Sequence, residues 1–255
     1  MRLVRFQVDG CAGYGVCLEK GVRPIAWEPF DRMLSAEELL EFDSIELLAP
    51  VVPTKIVAIG LNYSDHAEEF GLEIPDEPLI FLKAPNTVLA PGGAVVFPPQ
   101  SRRLDYEAEL AVVVGVEARA ISEEEALEYV LGYTCGLDMT ARDLQAADGQ
   151  WTRAKNFDTF CPLGPWVETE VEPDDLEITL SVNGEIRQSS RTSRLIFKVP
   201  FLVSFISNIM TLNPGDVIMT GTPSGVGEVV PGDRIEMTIE GIGTLDCTVV
   251  EGTRS

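Results

Sequence analysis

Three acidic residues pose the first chemical question. Glu107 and Glu109 stand two positions apart in Leu104-Asp105-Tyr106-Glu107-Ala108-Glu109-Leu110, which runs into Ala111-Val112-Val113-Val114. The β-branched run favours an extended chain, and in a strand side chains two apart leave the same face. Two like charges there repel unless something answers them. A second short strand, Tyr133-Thr134-Cys135-Gly136-Leu137-Asp138, also ends in a carboxylate. Glu107, Glu109 and Asp138 together offer the all-oxygen ligand set that suits Mg²⁺ or Mn²⁺, although acids of this kind are most often simply solvated.

His66 is the only histidine, so a histidine base is no other residue. Glu69 lies three positions on, where a helix puts both on one face and the carboxylate can orient the imidazole and raise its basicity. The same pair is also common on ordinary surfaces. Arg142 and Gln145 repeat that spacing just beyond Asp138. Arg suits a bidentate clamp on a carboxylate, or equally a surface salt bridge. Lys155 is one of few lysines. The glycine-rich stretch 221–227 follows a strand but lacks the Lys-Ser/Thr of a P-loop and the spacing of a dinucleotide fingerprint. It instead brings the Thr222 hydroxyl and backbone amides toward a small anion.

The elements that must position these groups are mostly strands. Residues 1–27 read as short strands, with Asp9-Gly10 as a turn. Ser35-Ala36-Glu37-Glu38 matches a capping box ahead of a short helix. Residues 1–53 read as a small N-terminal subdomain without candidate chemistry, and 54–255 as the catalytic domain. In the latter, residues 55–60 form a buried strand delivering a helix capped by Ser64 and ended by Gly71. Another capping box, Ser122-Glu123-Glu124-Glu125, predicts a helix to about Leu131, and Thr140 is the expected cap of the next. Asn183-Gly184 marks a hairpin, residues 200–210 an apolar helix, and residues 234–250 two further strands.

Composition narrows the classes. A formal charge of −22 over 255 residues opposes nucleic acid or an anionic membrane as partner. An anionic substrate then needs local positive charge, from a metal or from placed Arg and Lys side chains. Five cysteines without close pairing argue against a disulfide framework or Cys-rich zinc site. No stretch approaches the roughly 18 apolar residues of a membrane span, and the first residues lack a signal-peptide core, so a cytoplasmic location is expected.

Five segments together resemble the fumarylacetoacetate hydrolase family, in consistent order over about residues 55–250. They are Gly60-Leu61-Asn62-Tyr63 with Asp65-His66, the strand of Glu107 and Glu109, residues 136–145, Lys155-Asn156-Phe157-Asp158, and residues 221–227. The resemblance is nearest to small members: acylpyruvate hydrolases, oxaloacetate decarboxylases, and the isomerases and decarboxylases of homoprotocatechuate breakdown, an aromatic catabolic route. It implies an α+β, β-rich fold, a mixed β-sandwich roll with short flanking helices, assembled as a homodimer. It implies Mg²⁺ or Mn²⁺ on Glu107, Glu109 and Asp138, and a catalytic dyad of His66 and Glu69 on a mobile lid. It also implies that Arg142, Gln145, Lys155 and Thr222 grip the carboxylate and oxo groups of a 2-oxo acid.

From those parts follows metal-assisted enolate chemistry. The main expectation is hydrolysis of the C–C bond of a 2,4-dioxo acid, with His66 activating water and pyruvate enolate leaving. Loss of CO₂ from oxaloacetate, or proton return elsewhere in an isomerisation, uses the same enolate. A homologue that binds metal and dicarboxylate without turnover is the non-catalytic alternative.

Overall fold

The computed structural model describes residues 1–25, 39–71 and 73–253. Its central strand, Ala108–Val114, is buried at every position. It pairs antiparallel with Val130–Leu137, Glu109 lying opposite Gly136. Its other edge pairs with Val217–Met219, followed in parallel by Ile56–Ile59 and then by the edge strand Ile80–Lys83. Beyond Val130–Leu137 come Cys161–Glu168, Arg2–Val8, Cys11–Leu18 and Gly21–Ile25, so the N-terminal strands are bonded into the same sheet. A five-stranded sheet runs Glu185–Arg191, Glu177–Val182, Arg234–Ile239, Gly243–Glu251, Ala94–Phe97. A small three-stranded sheet joins Thr140–Ala141, Leu104–Tyr106 and Gly227–Val229.

Alternation along the central strand divides the core. Leu110, Val112 and Val114 face a cluster with Leu180, Met237 and Leu245 of the second sheet and Leu202 and Ile206 of the helix Val199–Ser207. Ala111 and Val113 face the opposite way, toward Ile56, Leu163, Val217 and Met219. A strand covered on both faces has no place for an exposed polar side, which explains its uninterrupted apolar run. The fold is therefore β-rich, with mixed sheets and few short helices, as expected.

Several local expectations give way to tertiary pairing. Ser122 does bond to the Glu125 carboxylate through its hydroxyl at 2.9 Å. Only one 3₁₀ turn, Ala126–Tyr129, follows, because residues 130 and 131 already belong to the strand beside the central one. Thr140 is not a helix cap: it pairs with Asp105, and its hydroxyl donates to the Asp138 carbonyl at 3.1 Å. The helix Arg142–Asp148 starts after Ala141. Ser64 is the first residue of the helix Ser64–Phe70 rather than its cap, whereas Gly71 ends it in the left-handed conformation. The hairpin at Asn183-Gly184 is present, with both residues at positive φ. The capping box at 35–38 lies outside the described residues.

Asp216 holds together the parallel pair beneath the site. Fully buried, it accepts from Thr54 N at 2.9 Å, Thr54 Oγ1 at 2.7 Å, Lys55 N at 3.1 Å and Asn213 N at 2.8 Å, and from the Lys55 ammonium. Burial alone would raise its pKa, but these donors, led by Lys55, hold the carboxyl below its ordinary value. A depressed carboxyl contributes stability above the unfolded value of about 3.9 that is lost as pH falls through the folded one. Asp216→Ala strands five donors, and is expected to lower unfolding free energy by about 2–4 kcal/mol at pH 7. The loss should shrink on acidification in urea titrations; an unchanged loss at low pH would remove the carboxylate from the account.

Candidate active site

Glu107 occupies the break between Leu104–Tyr106 and Ala108–Val114, where the chain passes from one sheet to another. Its carbonyl accepts the Asp138 amide at 2.9 Å, which fixes the end of the neighbouring strand beside it. One oxygen from each of Glu107, Glu109 and Asp138 lies within 4.8 Å of the others, and all three residues are buried.

Three cations answer part of that charge. Lys155 Nζ donates to Glu107 Oε2 at 2.7 Å and to Asp138 Oδ2 at 2.6 Å. Lys83 Nζ donates to Asp138 Oδ1 at 2.7 Å and to the Lys155 carbonyl at 2.6 Å. Arg142 donates to Glu107 at 2.5 Å, to Asp105 at 2.8 Å and to Gln145 Oε1 at 2.6 Å. Arg142 and Lys155 are thus engaged with acidic side chains, so their charge is largely neutralised before any substrate arrives.

The pKa shifts follow. Burial would raise Glu107, but Lys155 and Arg142 outweigh it and hold the carboxyl at about 2. Burial would lower Lys155, but Asp138 and Glu107 outweigh it and keep the ammonium charged. Glu109 is the exception. Burial, then the charges of Asp138 and Glu107, push its carboxyl well above the ordinary range, against the amide of Gly221 at 2.7 Å and the charge of Lys155, which does not pair with it directly. A buried oxygen set with one carboxylate lacking a cation fits a hard divalent ion.

His66 comes from the helix Ser64–Phe70, with Nδ1 3.7 Å from Glu69 Oε2. Burial lowers its pKa, outweighing the opposing charges of Glu107 and Glu69, so the imidazole is biased toward its neutral form. Glu69 also accepts the Gly225 amide at 3.1 Å, and Asp65 accepts the Ser190 hydroxyl at 2.5 Å. His66, Glu107, Glu109, Arg142, Lys155 and Thr222 border one cavity of about 220 Å³, together with Gln145 and the aromatic wall of Phe81 and Trp151. Those two rings meet edge to face at 5.1 Å. A depression of about 730 Å³ on their other side contains none of the three carboxylates.

Every residue singled out in the sequence except Asp138 and Glu69 borders this cavity; Asp138 lies behind it in the cluster with Glu107 and Glu109, and Glu69 lies beside His66. Sequence reasoning assigned no role to Lys83, Asp105, Asn62 or Gln188. The available signal was a charged residue ending the apolar strand 79–83. For Asn62, the side chain locks to Phe197 N and to the Thr220 carbonyl, at 2.8 and 2.7 Å. Gly221, at φ +99, packs so tightly on Asn62 that a Cβ would lie 2.9 Å from the Asn62 Cβ.

Residues 55–250 match the fumarylacetoacetate (FAA) hydrolase C-terminal family, and residues 1–50 match the Rv2993c-like N-terminal family. The chain belongs to the fumarylacetoacetate hydrolase family. Protein Rv2993c of Mycobacterium tuberculosis is 44% identical over 91% of this chain and 89% of its own length. The mitochondrial oxaloacetate tautomerase Fahd2a of Rattus norvegicus is 40% identical over 86% and 74%. The structure of 2-hydroxyhepta-2,4-diene-1,7-dioate isomerase from Mycobacterium marinum superposes with a TM-score of 0.91 at 40% identity, covering all of both chains. The chain is accordingly a family enzyme with a buried acidic cluster consistent with a divalent metal site. Among the described residues no helix is long and apolar enough to cross a membrane.

The electrostatics give a two-sided expectation for Glu109. Without added metal, Glu109→Gln should leave the melting temperature equal or higher, since it removes repulsion while keeping an acceptor for Gly221. With Mn²⁺ at about a hundred times its Kd, the wild type gains about 2.7 kcal/mol, or roughly 5–10 °C at this chain length. The variant should gain little at the same concentration. Equal metal-induced shifts, read by calorimetry, would place the ion elsewhere.

Proposed function

We propose that the chain catalyses proton transfer at the carbon beside the 2-oxo group of a small dicarboxylic acid, interconverting keto and enol forms or double-bond isomers. The observation that carries this reading is His66, biased to neutrality by burial and bordering the same small cavity as Glu107 and Glu109 of the carboxylate cluster. Hydrolysis of an acylpyruvate, the first expectation from the sequence, becomes the second reading. A histidine base serves proton abstraction from C3 as well as it serves water, so the dyad no longer favours hydrolysis. The tautomerase and isomerase names of relatives about 40% identical support the change of order.

Glu107, Glu109 and Asp138 would hold the divalent ion, which when bound supplies Lewis acidity to the oxygens of a 2-oxo acid. Glu69 lies 3.7 Å from His66 Nδ1, and the proposed tautomer carries its proton on Nδ1 toward that carboxylate, with Nε2 as the base. In the proposed step Nε2 takes a proton from C3, and the electron pair of that C–H bond moves toward the 2-oxo oxygen. Return of the proton at oxygen gives the enol; return at a distant carbon of a conjugated system gives the isomer. Lys155 spends two of its N–H groups on Glu107 and Asp138 and retains a third for a substrate oxygen. Arg142 is held in place by Asp105 and Gln145. Phe81 and Trp151 exclude water from one side of the reacting carbon.

The test is to follow enol-to-keto conversion of oxaloacetate by ultraviolet absorbance, alongside pyruvate release from acetylpyruvate, both with Mg²⁺ or Mn²⁺. Tautomerisation should dominate, and His66→Asn should lower its kcat by about 10² or more. Faster pyruvate release from acetylpyruvate would restore hydrolysis as the main activity. At saturating metal, kcat/KM should hold steady at neutral pH and fall on the acid side with an apparent pKa below about 6.5, because burial disfavours the imidazolium. An acid limb above that value would point to another group.

A further inference from the structure

Gln188 is the one buried residue of the edge strand Glu185–Arg191; its six neighbours in the strand are exposed or half-buried. The register slips beside it: Leu180 pairs with Gln188 and Ser181 with Ile186, leaving Arg187 as the extra residue of a bulge. Bulges re-aim side chains, and this one accompanies an amide turned inward. Gln188 Oε1 accepts the Ala108 amide at 3.0 Å, between Glu107 and Glu109. Its Nε2 donates to Thr222 Oγ1 at 2.9 Å and to the Pro223 carbonyl at 2.9 Å, with the Ser224 carbonyl at 3.5 Å.

The direction of these bonds is forced at both ends. A backbone N–H only donates and a carbonyl only accepts, so the Gln188 amide has one possible orientation. Its Nε2 must then donate to Thr222 Oγ1, which leaves the threonine proton to be donated elsewhere. Among the described residues, Gln188 is the hydroxyl's hydrogen-bond partner. Thr222 is 7% exposed and borders the carboxylate cavity. A buried hydroxyl whose lone pair is engaged needs an acceptor for its proton.

We propose that Gln188 is a positioning residue that polarises the Thr222 hydroxyl, so that Thr222 presents a donor into the cavity and selects a ligand oxygen that accepts, such as a carboxylate. This deepens the 2-oxo acid reading and rests on it. Gln188 acts through Thr222 and also clips the loop 221–225 to the strand of Glu109. The loop is seated closely there: a Cβ on Gly225, at φ +88, would lie 2.2 Å from the Arg187 carbonyl oxygen.

The test is a double-mutant cycle on oxalate binding, measured by calorimetry in Mn²⁺ with the full chain. Gln188→Glu keeps an acceptor for Ala108 and replaces the Nε2 donor by an acceptor that recruits the threonine proton. Gln188→Met removes both functions, and serves if a buried glutamate unfolds the chain. Each variant, and Thr222→Val, should weaken oxalate by about tenfold, the range for a hydrogen bond to a charged group. In the Thr222→Val background the Gln188 substitutions should cost less than about twofold further. Thr222→Ser, which keeps the hydroxyl, should bind oxalate nearly as the wild type does.

A purely structural role for Gln188 would lower affinity equally in both backgrounds, so additive losses overturn the proposal while leaving the 2-oxo acid reading intact. Failure of the wild type to bind oxalate while Mn²⁺ binds overturns that reading, and the ligand-facing role of Thr222 with it.

Discussion

Charge imbalance at the centre of the molecule governs the rest. Asp105, Glu107, Glu109 and Asp138 are withdrawn from solvent, and Lys83, Lys155 and Arg142 are set among them. Removing ions from water is expensive unless each finds a close partner. All but one of the four carboxylates has a cationic partner, and Glu109 has a backbone amide. The deficit sits at the residue flanked by the other two cluster members, which is where a divalent ion restores balance. The overall charge of −22 makes this local arithmetic decisive. The placed cations first neutralise protein acids, so little of their charge is left over for an anionic ligand.

The fold is arranged so that each group in this cluster is held from more than one direction. Glu107 and Asp138 lie at the ends of neighbouring strands and are joined through a backbone hydrogen bond. Lys83 arrives from the far edge of the sheet and grips both Asp138 and the carbonyl of Lys155. Asn62 then fastens Thr220 at the head of the loop 221–225, and Gln188 fastens Thr222 and Pro223 within it. Strands covered on both faces supply a rigid floor, since a shift of one residue would carry every side chain to the wrong face. Asp216 anchors the turns that feed two of those strands.

How much of this was legible in the sequence depends on the range of the interaction. The spacing of Glu107 and Glu109, the i,i+3 pair of His66 and Glu69, and the Asn183-Gly184 turn are local signals, and they resolve into local geometry. The apolar run at 110–114 is equally plain, because burial on both faces needs no alternation. Lys83, Asp105 and Gln188 were not legible as site components. Their partners lie 55, 37 and 80 residues away, and each residue type is unremarkable in its own segment. The helix expected at 122–131 failed for a related reason. A capping box competes with strand pairing at 130–137, and the non-local ladder wins.

The carboxylate cluster by itself does not choose among the reactions open to a 2-oxo acid. Tautomerisation needs the base directly over C3, whereas hydrolysis needs room for a water between the base and a second carbonyl. Both requirements are set by where the helix Ser64–Phe70 sits. That helix is moored at two points, Asp65 to Ser190 and Glu69 to Gly225, and both moorings lead to the hairpin strand and loop that Gln188 secures. The carboxylate cluster and the proposed base His66 are therefore positioned by different parts of the chain. The carboxylates belong to the rigid sheet, and the proposed base belongs to a seven-residue helix whose seat depends on surface-proximal contacts. Changes in the hairpin or loop can thus alter the reach of His66, and they meet the carboxylates only through Gln188 on the Ala108 amide and Gly221 on Glu109.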